Sequence, residues 1–62
     1  MDDYKSRLRK ELKDLNFKIE KLNNFIEKND IFKTIDSEEQ ELLKEQREIM
    51  TKYANILRKR IK

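Results

Sequence analysis

Leu8, Leu12, Leu15, Ile19, Leu22 and Ile26 follow one another at spacings of 4, 3, 4, 3 and 4 residues. An α-helix gathers such positions into one stripe, whereas a strand would alternate them between faces. The first part of the chain is therefore committed to an amphipathic helix over about residues 3–28. Asp2 and Asp3 suit its first turn, where exposed backbone N–H groups favour negative charge, and Lys28 suits its last.

The stretch NDIFKTIDSEEQ, residues 29 to 40, breaks the period. Asn29 and Asp30 are the best turn formers in a chain without Gly or Pro, so a hinge is expected over about residues 29–36. Asp36 or Ser37 then starts a second helix over about residues 37–61, since each is a good N-cap. Each also has a partner three residues on, Glu39 or Gln40, that can close a capping box. Ile31, Phe32 and Ile35 are expected to lid the core at the bend.

The second helix repeats its apolar residues along two neighbouring lines, Leu42–Ile49–Ile56 and Leu43–Met50–Leu57, with Tyr53 and Ile61 beside them. One two-helix contact buries only a narrow seam, so a stripe this wide calls for a further helix. Phe17 lies off the first seam and points the same way. A short connection favours antiparallel neighbours. The expected fold is all-α, an antiparallel two-helix hairpin in a single domain that self-associates into a helical bundle, as a dimer or tetramer. A single long helix in a parallel coiled coil is the competing fold, and it must carry Asn29, Asp30 and Asp36 through the break. Size argues for association too, because 62 residues with 47% charged and 35% hydrophobic side chains bury little by themselves.

Cys and His are absent altogether. Disulfides, thiolate or imidazole metal sites and histidine acid–base catalysis are excluded with them. Ser6, Ser37, Thr34 and Thr51 have no His to activate them, and the acidic face of Glu38, Glu39, Glu41, Glu45 and Glu48 lacks the spacing of a bundle metal site or an EF-hand. The chain is expected to be no enzyme and to need no cofactor. No apolar run approaches the roughly 18 residues of a membrane span, and MDDYKSRL lacks the form of a signal peptide, so no membrane partner and a cytoplasmic location are expected.

A net charge of +3 is modest, but its distribution is not. A hairpin gathers Lys5, Arg7, Arg9, Lys10 and Lys13 with Lys52, Arg58, Lys59, Arg60 and Lys62 at its open end, while acids crowd the first half of the second helix. Helix-dipole complementarity, attraction between opposite ends of neighbouring hairpins, and cationic stems lying over apolar surface account for much of this. Tyr4 and Tyr53 add a further reading. Phosphates need cations and a nucleobase can stack on an aromatic face, and Arg7 and Arg60 each share a helix face with a Tyr. Gln46 occupies a place where the spacing calls for an apolar residue, and is expected to be buried, either setting oligomer register or touching a ligand.

The strings YKSRLRKELKDLNFKIEKLNNFI and EEQELLKEQREIMTKYANILRKRI resemble, over nearly the whole chain, a family of very small helical-hairpin phage proteins first catalogued in crAss-like phages. Gln46, Tyr53 and Arg60 are the more distinctive part of that likeness; Lys18 stands where the pattern suggests Arg, replacing a forked donor by a point charge. The resemblance implies a phage accessory protein acting in the cytoplasm of an infected bacterial host. By its similarity to phage sponge proteins, it also implies sequestration of a cyclic-nucleotide immune signal. The expected partners are a second copy and a small anionic nucleotide, a cyclic dinucleotide first, held by Tyr4, Arg7, Glu11, Lys18, Gln46, Tyr53 and Arg60. Direct binding of a host defence protein and a purely structural module are the rivals. Nucleic acid comes last, because acids interrupt the basic surface.

Overall fold

A computed structural model describes residues 3–62. Two α-helices of 25 residues each, α1 (Tyr4–Lys28) and α2 (Ser37–Ile61), are joined through a short 3-10 turn at Asp30–Thr34. They run antiparallel: Arg47 of α2 reaches Asn23 and Glu27 of α1 at 2.8 and 2.9 Å, and Arg58 reaches back to Asn16 at 3.2 Å. The chain is thus an all-α hairpin and not one long helix. The described residues measure 47 × 15 × 13 Å and form a single pair of helices with no third layer among them. No described helix is long and apolar enough to cross a membrane.

The seam is built by the 3–4 spacing on α1 meeting one of the two apolar lines of α2. Leu8, Leu15, Ala54 and Leu57 form the buried cluster, with Leu12, Ile19, Met50 and Ile61 packed at its edges. Leu57 is fully buried, and Ala54 nearly so. The other α2 line stays in water, with Leu42, Ile49 and Ile56 52%, 57% and 52% exposed. Phe17 is also outside the seam, its ring covered on one side only by the Lys21 ammonium at 4.7 Å. A cation over an aromatic face is a partial substitute for burial.

The hinge differs in detail from its sequence-based expectation. Asn29 leaves the helix in extended conformation, and its side-chain oxygen accepts the Ile31 amide at 2.9 Å, which winds the chain into the 3-10 turn. Phe32 is buried there and meets Phe25 edge to face at 6.0 Å. Ile35 is half-buried, but Ile31 points outward and takes no part in the lid. No capping box forms. Asp36 is the N-cap of α2 without a side-chain bond to the helix. Gln40 turns back across the hinge instead, donating to the Phe32 and Ile35 carbonyls at 2.8 and 2.9 Å. One side-chain amide thus bridges two backbone acceptors at the bend, the Phe32 carbonyl also accepting the Ile35 amide at 3.3 Å.

At the other end, Asp3 precedes α1 instead of lying in its first turn. Its carboxylate accepts the Ser6 amide at 2.8 Å, and that bond holds its carboxyl below the ordinary aspartate range. The sign follows from the lowered value: the cap is intact above the ordinary aspartate titration and is lost as pH falls through the lowered one. Asp2 lies outside the described residues.

Two expected outcomes test this packing by thermal and urea unfolding. Leu57→Ala leaves a void in the seam between the helices and should cost about 2–5 kcal/mol. Gln40→Ala should cost about 1–2 kcal/mol, and Gln40→Glu more, because a carboxylate oxygen then faces two carbonyls in place of a donor.

Candidate functional site

Along one flank of α1, Arg7, Glu11, Asp14 and Lys18 succeed one another at spacings of 4, 3 and 4 residues. They stack on a face adjoining the apolar stripe. Lys10 borders them. Opposite, Tyr53 rises from α2, and Leu15 of the core forms the floor. Together these side chains enclose an open groove with a volume of about 360 Å³.

Three cations, two carboxylates and one aromatic ring line this groove. Among the described residues the ion pairs are Glu27 with Arg47, Glu41 with Lys44 and Glu48 with Lys52, all elsewhere. Arg7, Lys10 and Lys18 thus make no direct ion pair among the described residues, although Glu11 and Asp14 share the groove with them. A nearby anion would meet donors that give up no existing ion pair, and forked Arg7 can grip two oxygens at once. Glu11 and Asp14 can accept from hydroxyl or ring N–H groups. Tyr53 is 41% exposed, enough to present a ring face. The arrangement suits binding of a phosphate-bearing molecule with an aromatic part.

Other hollows are less well walled. One lies around Phe17, between Lys13 and Glu20, and another runs from Lys21 to Asn29; α2 contributes to neither. A surface supplied by one helix and the turn after it is convex or shallow, so it encloses a ligand poorly. Tyr53 gives the groove of Arg7 its second wall.

Of the seven residues singled out in the sequence, Arg7, Glu11, Lys18 and Tyr53 come together in this groove. Tyr4, Gln46 and Arg60 do not. Tyr4 is exposed one turn before Arg7. Arg60 is exposed two turns beyond Tyr53, near the end of α2. Gln46 is not buried: it projects into solvent, its amide touching only the Met50 sulfur at 3.8 Å, because the α2 stripe facing α1 passes to one side of it. The groove adds Lys10 and Asp14 to Arg7, Glu11, Lys18 and Tyr53. The signal was present, since both stand at helical spacing from Arg7 and Glu11.

Arg58 turns away to Asn55 and Asn16, at 2.9 and 3.2 Å, and Arg47 clamps the helices further along. Both Arg residues act as cross-helix ties.

No curated protein and no solved structure matches the chain. A model of the family described as Sequestin matches residues 2–62, so the chain belongs to the Sequestin family, whose name speaks of sequestration.

Proposed function

We propose that this Sequestin-family hairpin sequesters a small anionic nucleotide, a cyclic dinucleotide first, at an interface between copies of itself, and releases it unchanged. The observation that carries this reading is the convergence of Arg7, Lys10 and Lys18, free of ion pairs among the described residues, across a groove from Tyr53. Phosphate oxygens take the cations. A base lies on the Tyr53 ring, a contact worth about 1–3 kcal/mol. Glu11 orients the donors or accepts from a base edge.

The dimensions support association. Ligand pockets run from about 300 to 1,000 Å³, and 360 Å³ is at the low end, with one side open. That accommodates one nucleotide unit, so a dinucleotide needs walls from a second copy. Tyr4, Gln46 and Arg60, left outside the groove of a single hairpin, are then available to it.

Sequestration needs no chemistry, only tight stoichiometric binding that keeps free ligand below what its receptor requires. A protein made by a phage inside its host would blunt nucleotide-signalled immunity in this way; the phage setting rests on the resemblance described above, and the family name supports the sponge role. The exposed line of Leu42, Ile49 and Ile56 gives a second reading some support, in which the hairpin docks on a host defence protein.

Calorimetric titration of the folded protein with cyclic dinucleotides, cyclic trinucleotides and their linear counterparts tests the proposal. At least one should bind and be recovered intact after the protein is denatured. Arg7→Ala should weaken that ligand about tenfold or more, and Tyr53→Ala by a comparable factor. Heat from none of them, with helicity confirmed, removes the nucleotide reading and leaves the protein-directed one.

A further inference from the structure

The α2 face turned away from α1 has a repeat of its own. Leu42, Ile49 and Ile56 recur every seven residues, and Glu39, Gln46, Tyr53 and Arg60 interleave with them at alternating steps of 3 and 4. All are exposed. This is the a/d pattern of a coiled-coil seam, presented to solvent beside a seam already in use.

The charges along this face are arranged about its middle. Glu38 and Arg60 each lie eleven residues from Ile49, and Leu42 and Ile56 each lie seven. Neither Glu38 nor Arg60 belongs to an ion pair among the described residues. A parallel neighbour would set Arg60 against Arg60 and Glu38 against Glu38. An antiparallel copy sets acid against base at both ends and apolar residue against apolar residue between them.

We propose that two copies pair antiparallel through the Leu42–Ile49–Ile56 line of α2, about a two-fold axis near Ile49, and that Gln46 of each copy completes the groove of the other. Tyr53 belongs both to this face and to the groove, so the second α2 runs along the groove's edge. Gln46 lies three residues to one side of Ile49 and Tyr53 four to the other. The two-fold therefore brings Gln46 of the partner subunit within about 1.5 Å, along the helix axis, of the level of Tyr53. An amide that touches only a thioether in one hairpin gains a place at the ligand. The shared site rests on the nucleotide reading; the pairing does not.

The chain has no cysteine, so single-cysteine variants report without background. Leu42→Cys and Ile56→Cys, both at exposed positions, are treated with a short bis-maleimide separately and as a mixture. In the antiparallel pair, 14 residues separate two copies of the same position, about 21 Å along the axis. Each variant alone should stay uncross-linked, and the mixture should give a covalent dimer. Self-cross-linking of either variant, or no cross-link in the mixture, overturns the pairing. For the shared site, Gln46→Ala and Tyr53→Ala are mixed and titrated with a nucleotide that binds the unaltered protein. Each variant alone should have lost affinity, while the mixture regains about a quarter of the original sites, one per mixed dimer. No recovery overturns the shared site. A protein that binds no nucleotide yet cross-links as expected loses the ligand reading and keeps the antiparallel pair.

Discussion

Everything in this hairpin depends on one strip of contact between two helices, centred on Leu57 and Ala54. Those two residues alone are almost wholly removed from water, at 0% and 1% exposed. Ala54 lets α1 approach closely, and Leu57 fills the space that remains among Leu8, Leu15 and their neighbours. A strip this thin leaves each helix with two flanks in solvent. On α1 one flank carries the groove residues; on α2 the outward flank carries a second apolar line. The groove and the unpartnered apolar line thus have a single origin, which is the small number of helices.

The fold was legible because helical periodicity is a strong signal. The spacing from Leu8 to Ile26 needs no context to be understood, and the loss of period after Lys28 marks the bend even without Gly or Pro. Finer features were not legible, for physical reasons. Sequence proximity favours near partners and so points Gln40 to a local capping box, yet its amide spans the hinge to the Phe32 and Ile35 carbonyls, the first of which also closes the 3-10 turn by accepting the Ile35 amide. Ile31 and Phe32 are adjacent and both apolar, and only the 3-10 geometry decides which is buried. Ala54 attracts no notice in an apolar count, although close helix approach favours a small side chain.

The groove was partly legible. Arg7, Glu11, Lys18 and Tyr53 do converge, whereas Lys10 and Asp14 join them only once one flank of α1, and not its cations as a group, is set against α2. Gln46 and Arg60 illustrate a different limit. Their spacing relates them to Leu42, Ile49 and Ile56 and not to the seam with α1, so a single hairpin leaves them unexplained. A residue that fits a pattern, but not the pattern used by its own chain, is informative about the chain's surroundings.

The polarity of α2 can be weighed in the same way. Acid at its start and base at its end both complement the helix dipole, each by about 0.3–1 kcal/mol. That effect fades beyond the terminal turns, yet Glu41, Glu45 and Glu48 extend the acidic half well past the first turn, and Lys52 opens the basic half before the last. The dipole does not account for charges so far inside. Local pairing accounts for Glu48 with Lys52 and for Glu41 with Lys44, at 3.6 and 3.9 Å between largely exposed groups, where each pair contributes little. What remains is a helix acidic in its first half and basic in its second, with Tyr53 just past its midpoint. A ligand rich in phosphate would enter on the basic side of that midpoint. The same asymmetry thus bears both on the proposed pairing and on the end of the groove that an anion would approach.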